Sequence, residues 1–305
     1  MQIALLGLGQ IGGSVARAAL AAGFASRVSA WTPAGTGPDL ARADGIMAVP
    51  SADAAIRGAD LIVLAAPPLA CLDLLDDLAG PLSGSVAWNA VITDVASTKG
   101  AIARRARGLG LRFVGGHPMA GAETAGYAAS DPGLFADRPW IVVPAEPADG
   151  QADARVIALA EACGARPIVL SAEAHDDAVA AISHLPLLLS AALVEAISGR
   201  ADYPLATTLA AGGWASMTRL ARGDAAMGAG IVATNHAAIA RGLDDLEAVL
   251  AEWRALLGDD AANSDDFAGS IDAPAVERRL GRVRSLVVDE DMDEDMVESH
   301  PGVDG

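Results

Sequence analysis

The stretch Gln2-Ile3-Ala4-Leu5-Leu6-Gly7-Leu8-Gly9-Gln10-Ile11-Gly12 decides the fold. A short apolar run stops at Gly7, and an Ala-rich segment with helix-forming character, residues 10–22, follows at once. That is a strand, a glycine turn and a helix. The turn has the spacing G-x-G-x-x-G, which between a strand and a helix is the pattern that receives the pyrophosphate of a dinucleotide. Gly7 permits the tight turn, Gly9 lets the backbone approach the phosphate, and Gly12 lets the helix pack close to the strand. The helix N-terminus offers unpaired N–H groups and a partial positive charge to the anion.

Working outward, strand-like runs recur at 27–31, 60–65 (stopped by Pro67-Pro68), 86–93 and 111–114, with 140–143 and 167–170 as further edges. A helix is predicted over 98–108. These strands are continuously apolar rather than alternating, as in a parallel sheet covered on both faces. The prediction is an α/β protein: an N-terminal doubly wound, Rossmann-type parallel sheet over 1–171. Beyond 172 the strand signal ends, and an all-helical C-terminal domain for substrate and dimerisation is expected over 172–258. Leu243, Leu246, Val249, Leu250 and Trp253 form one apolar stripe at helical spacing. Residues 259–305 hold fourteen acids against four arginines, including the run Asp289–Asp295. They read as a solvated, disordered acidic tail, with a short docked helix near 276–288 as the alternative.

The 305 residues carry a formal net charge of −18, which disfavours nucleic acid and anionic lipid as partners. Two cysteines, Cys71 and Cys163, exclude a disulfide framework and a Cys-rich zinc site. No apolar run of about 18 residues is free of interruption, so no membrane span is expected. The chain opens on its first strand without a basic leader, so a cytoplasmic location is expected. Of the 21 basic residues, 20 are arginine and one, Lys99, is lysine.

The candidate cofactor-binding residues are Gly7, Gly9, Gln10, Ile11, Gly12, Thr32 and Pro67. An acid that binds the adenine ribose usually closes the second strand. Here Trp31-Thr32-Pro33 stands instead, and Thr32 suits either NAD or NADP. His117, in Gly115-Gly116-His117-Pro118-Met119-Ala120-Gly121, is expected in a Gly-flanked loop at the carboxyl end of a strand, where such sheets bind ligands. Its ordinary pKa suits a general base near neutral pH. Asp94-Val95-Ala96-Ser97-Thr98-Lys99 also follows a strand; Ser97 can meet a substrate hydroxyl, and Ser97 or Thr98 can cap the helix. Lys99 fits an electrostatic contact near the cleft. His184, in Ser183-His184-Leu185-Pro186, reads equally as a site or a core residue. His175, beside Asp176 and Asp177, reads as a solvated helix start, and His300 belongs to the tail. His236 carries no functional reading, and no metal-ligand spacing occurs.

Taken in order, the glycine loop, the D-V-A-S-T-K, G-H-P-M-A-G and S-H-L-P motifs closely resemble the prephenate/arogenate dehydrogenase family. The stretch Thr218-Arg219-Leu220-Ala221, running on to Ala233-Thr234-Asn235, resembles that family's substrate-arginine helix. The resemblance covers residues 1–257 and implies an NAD(P)-dependent oxidative decarboxylation in tyrosine biosynthesis. His117 would accept the proton of the ring hydroxyl, with Ser97 holding that hydroxyl. Arg219 would pair with a substrate carboxylate, and His184 would lie in the tract near the substrate side chain. The resemblance also implies a homodimer with prephenate or arogenate as its small-molecule substrate.

Some relatives carry a second histidine three residues after the one in S-H-L-P. Leu187 stands there, which with the segment 223–235 tilts the reading toward arogenate. No mutase module is expected before the first strand, nor a regulatory domain in the tail. Two alternatives compete. A β-hydroxyacid-type dehydrogenase needs a catalytic lysine on its inter-domain helix, and Lys99 is misplaced for that. A non-catalytic dinucleotide sensor has no need of His117, Ser97 and Arg219.

Overall fold

The computed structural model describes residues 1–33, 38–121, 125–257 and 271–298, with backbone alone for Pro38 and 288–298. In order the elements are β1 (Gln2–Leu6), α1 (Gln10–Ala21), β2 (Arg27–Trp31), α2 (Pro38–Ala43), β3 (Met47–Ala48), α3 (Ala52–Ile56) and β4 (Leu61–Leu64). Then come α4 (Pro68–Ala79), β5 (Val91–Asp94), α5 (Gly100–Gly108), β6 (Phe113–Pro118), β7 (Pro139–Val143), α6 (Gly150–Ala162) and β8 (Arg166–Val169). The rest is helical: α7 (Ala172–Val179), α8 (Leu185–Ser198), α9 (Tyr203–Thr208), α10 (Gly212–Met217), α11 (Ala225–Leu257) and α12 (Ala273–Glu298).

The sheet runs β3-β2-β1-β4-β5-β6-β7-β8. The chain builds outward from β1 to β3, then crosses to β4 and builds the other way. The reversal leaves a crevice at the carboxyl ends of β1 and β4, where ligands bind in such sheets. Alternate residues of β1 feed two cores: Ile3 and Leu5 join one, Ala4 and Leu6 the other. Helices on both faces thus explain the continuously apolar strands.

Gly7 has φ +117°, and a Cβ there would lie 2.0 Å from the Ala65 carbonyl oxygen. A Cβ on Gly12 would lie 2.5 Å from the Gly7 oxygen. These two glycines are required by the close approach of β1, α1 and β4. Gly9 has nothing within 4 Å of its hypothetical Cβ, and no side chain caps α1 at this residue.

Several expectations need correction. The sheet is parallel through β6 but antiparallel between β6 and β7. The strand expected over 86–93 is confined to Val91–Asp94, and Trp88 is almost fully exposed. β3 has two residues, too short for a periodic signal. β6 runs on to Pro118, so His117 lies inside a paired strand opposite Ile141 rather than in a loop.

The chain divides into two compact units, Met1–Gly242 and Leu243–Gly305. By contacts, α7 to α10 and the first part of α11 pack in the unit that also holds the sheet. α7, a π-helical turn over Ala180–His184 and α8 form one helix, Ala172–Ser198, with mean hydropathy 1.7 over its most apolar window. By length and composition it is long and apolar enough to cross a membrane, a test that the core helix of a soluble protein also passes. In the second unit the tail is helical over α12 rather than featureless. Arg279 pairs with Glu252 at 2.7 Å and stacks 4.5 Å over the Trp253 ring. Val249 and Leu250 of the predicted stripe are exposed.

The solitary lysine is buried beneath β6. Its ammonium pairs with the equally buried Asp94 and donates to the Gly116 carbonyl at 2.7 Å. Asp94 also accepts from the Gly116 N–H at 3.0 Å and the Ala96 N–H at 3.2 Å. A Cβ on Gly115 would lie 3.1 Å from Lys99 Cδ, so the lysine stem lies close against the strand. Replacing Lys99→Met leaves a buried carboxylate uncompensated and should cost about 3–5 kcal/mol, read from the urea midpoint. An unchanged midpoint would show that the pair does not support the β5–β6 edge.

Candidate active site

The site is assembled where β5 and β6 end and the helical segment begins. Beyond β5, residues 95–99 lead into α5. The first turn of α5 is capped from another element. Asp176 of α7 accepts from the Lys99 N–H and the Gly100 N–H, each at 2.8 Å. A Cβ on Gly100 would lie 2.8 Å from Asp176 Oδ2, so glycine is needed for this approach. The expectation that Ser97 or Thr98 caps α5 is corrected: Thr98 instead shares a 2.8 Å hydrogen bond with Thr234 of α11, both hydroxyls buried.

His117 lies beside this joint. Its Nδ1 is 2.8 Å from Nε2 of His175, and Nδ1 of His175 is 2.8 Å from Oδ1 of Asp176. The two rings meet edge to face, 5.1 Å between centroids. His175 is 1% exposed, which overturns its reading as a solvated helix start. Burial alone would raise the Asp176 carboxyl, but hydrogen bonds from His175, Lys99 N and Gly100 N hold it below its ordinary value.

His184, on the π-helical turn, is also buried. Asn235 donates from Nδ2 to the Asp176 carbonyl at 2.8 Å, and the same nitrogen is 3.2 Å from His184 Nδ1. The opposite amide orientation would set two oxygens against each other. An amide NH2 only donates, so Nδ1 of His184 accepts and its Nε2 carries the proton. Asn235 departs from helical geometry (φ −128°, ψ 25°), so α11 kinks at the residue that makes these bonds.

Among the described residues, His184 Nε2, Ser97 Oγ and Trp140 Nε1 are buried polar atoms without a hydrogen-bond partner. Such atoms are rare in folded proteins and suit a polar ligand. Burial holds the His117 imidazole well below its ordinary value, and neighbouring Lys99, His175 and His184 act in the same direction. Burial likewise brings His184 down to about 4, against the opposing pull of Asp176. Both are neutral at pH 7.

The remaining predicted residues are more dispersed. Gly7, Gly9, Gln10, Ile11 and Gly12 form the β1–α1 turn, which fits a dinucleotide phosphate: open space above Gly9 and an uncapped helix start. Thr32 is half-buried just past β2, and Pro67 is exposed at the N-cap of α4. Arg219 lies on the exposed turn between α10 and the short 3₁₀ turn Leu220–Arg222.

Residues 15–169 match the model of the prephenate dehydrogenase nucleotide-binding domain, and residues 171–272 that of the prephenate dehydrogenase dimerization domain. The chain belongs to the prephenate dehydrogenase family. It is 33% identical over 238 residues to the prephenate dehydrogenase of Bacillus subtilis, covering 74% of this chain and 62% of that protein. It thus spans under two thirds of that relative. It is 30% identical over 259 residues to the cyclohexadienyl dehydrogenase of Zymomonas mobilis, covering 83% of this chain and 87% of that protein. The Synechocystis arogenate dehydrogenase crystal structure superposes with TM-score 0.76 at 28% identity, covering 96% of this chain and 99% of that one.

The histidines carry a pH signature. Unfolded, each protonates near pH 6.5. Folded, the pKa of His117 is depressed and that of His184 is about 4. The unfolded chain therefore binds more protons below 6.5, so the stability of the neutral buried rings is complete above 6.5 and is lost as pH falls toward 4. The melting temperature should decline across that window, and His184→Gln should flatten the decline. A slope unaffected by the substitution would contradict the assignment.

Proposed function

We propose that this chain is an NAD(P)-dependent oxidoreductase that converts prephenate to 4-hydroxyphenylpyruvate, arogenate to tyrosine, or both, by oxidative decarboxylation. The observation that carries the reading is a neutral His117 at the carboxyl edge of the sheet, with the unpartnered Ser97 Oγ and His184 Nε2 in the same family framework. A substrate hydroxyl and a substrate carboxylate are the groups that would satisfy those two atoms.

A nicotinamide dinucleotide held on the Gly7–Gly12 turn would supply the hydride acceptor. His117 accepts the proton of the ring hydroxyl, and Ser97 fixes that hydroxyl by hydrogen bonding. Loss of hydride from the same carbon creates a dienone. The electrons of the bond to the ring carboxylate then flow toward the new carbonyl, CO2 leaves, and the ring becomes aromatic. His184 donates from Nε2 to the substrate. Arg219 supplies a planar fork for a substrate carboxylate. Leu187 packs 3.6 Å from the hypothetical Cβ of Gly228 and offers no polar group, which favours arogenate as the better substrate. The β-hydroxyacid alternative loses its base, since Lys99 is locked under β6 by Asp94 and the Gly116 carbonyl.

We also place the protein in the cytoplasm as a homodimer joined through its helical segment. Ile182 (70% exposed), Leu205 (64%), Leu209 (75%) and Met217 (62%) expose large apolar side chains in the segment that matches a dimerization domain. Light scattering after gel filtration should give the mass of two chains, and a monomer at micromolar concentration would refute the assembly.

Assays pairing prephenate or arogenate with NAD or NADP should produce reduced cofactor in at least one of the four combinations. Silence in all four from folded, dinucleotide-binding protein would support the sensor reading instead. His117→Asn should lower turnover by about 10²–10⁴-fold while leaving dinucleotide affinity nearly intact. Undiminished turnover would remove its role.

A further inference from the structure

Sequence reasoning placed one histidine in the chemistry, but the structure places a second imidazole and a carboxylate behind it. We propose that His175 and Asp176 form a positioning and proton-sharing pair for His117, fixing its tautomer and taking up the proton that it receives. The proton-transfer part rests on the function proposed above, whereas the tautomer part stands on geometry alone.

The tautomer follows from the order of donors and acceptors. The Asp176 carboxylate already accepts from two backbone N–H groups, at Lys99 and Gly100. An ionised carboxylate only accepts, so the His175 Nδ1 at 2.8 Å from Oδ1 must carry a proton. With a single ring proton, placed at Nδ1, His175 presents a lone pair at Nε2. The His117 Nδ1, 2.8 Å away, must donate to it. That leaves the lone pair of His117 on Nε2, the nitrogen directed away from the pair and free to take a substrate proton. Without His175, nothing in this chain of bonds selects the nitrogen of His117 that stays bare.

The same chain moves charge. When the substrate hydroxyl gives its proton to His117 Nε2, the Nδ1 proton of His117 shifts to Nε2 of His175. His117 remains neutral, and the positive charge rests on His175 beside the Asp176 carboxylate. The proton returns by the reverse path when the phenolate left by decarboxylation is protonated, so no proton is gained or lost from the pair over the cycle. Lys99 makes this transfer useful. Its ammonium, paired with Asp94, donates to the carbonyl of Gly116, next to His117. A cation held on His117 itself would face Lys99, with neutral His184 also close by, whereas on His175 it faces an anion. In the serine-protease triad a buried carboxylate orients the catalytic histidine in the same way, and imposing the wrong tautomer there lowers turnover by about 10⁴-fold.

The test begins without substrate. In full-length protein labelled with ¹⁵N-histidine, only five histidines need assignment. Long-range proton–nitrogen correlation at neutral pH should show His117 protonated at Nδ1 and bare at Nε2, and His175 protonated at Nδ1. His117 protonated at Nε2 would overturn the proposal whatever the enzyme does. Kinetically, His175→Ala should lower kcat by about 10²–10³-fold, within the lower half of the range of general-base effects, while substrate KM and dinucleotide affinity change by about threefold at most. Added imidazole should restore part of kcat. The acid limb of the pH profile should shift, because the proton taken from the substrate then has no His175 beside the Asp176 carboxylate to rest on. Unchanged kcat and pH profile would refute the relay, as would a kcat loss without imidazole rescue or a shifted limb, the mark of a merely structural role. If His175→Ala does not fold, the nitrogen resonances of the unsubstituted protein still decide the tautomer. Wild-type protein inactive with every substrate and cofactor pairing refutes the proposed function and leaves the tautomer measurement standing.

Discussion

One carboxylate joins the helical segment to the sheet. Asp176 caps α5 through the N–H groups of Lys99 and Gly100, holds the ring of His175, and through its own carbonyl receives Asn235. Four elements meet within hydrogen-bonding distance of this residue: α5, α7, α11 and, by way of His175, β6. The helix start after β5 carries orphan donors that its own sequence does not cap. Supplying the cap from α7 satisfies them and at the same time locates α7 against the sheet. The accuracy of the site therefore derives from a backbone requirement rather than from the catalytic groups themselves.

Beneath that joint, the buried Lys99–Asp94 pair fastens the first turn after β5 to the Gly115–Gly116 step of β6. A Cβ on Gly116 would lie 2.5 Å from the Asp94 carbonyl, so the strands can approach only because that residue is glycine. The double glycine before His117 is thus a packing requirement. A buried ion pair is a weak source of net stability, but it is directional, and here it fixes the height at which His117 emerges. Both His117 and its support rest on positions where the backbone has little freedom to adjust.

Much of this was legible in the residues. The G-x-G-x-x-G turn, the continuously apolar strands and the end of strand signal near 172 follow from local periodicity and steric rules, and these act over a few residues. The candidates His117, Ser97 and His184 stood out because they lie in motifs that follow strands or interrupt an apolar helix. The pairing of His175 with His117 was not. The two are 58 residues apart, and a histidine flanked by two aspartates looks solvated when only its neighbours are considered. His175 and His184 were equally hard to connect. Nine residues at about 100° each would set them on opposite faces of a straight helix. The π-helical turn over Ala180–His184 changes that register, and no local composition announces it.

Taken alone, the sequence determined the fold class, the glycine turn and the candidate base, because each depends on short-range geometry: which residues tolerate a tight turn, which faces are apolar, which groups titrate near neutrality. Tertiary structure alone decided the environment of that base. Whether an aspartate is solvated or caps a distant helix, whether a lysine is a free cation or half of a buried pair, and which nitrogen of an imidazole is left bare are settled by contacts between segments far apart in the chain. Those contacts set desolvation and hydrogen bonding, and these are the quantities that turn a histidine into a base.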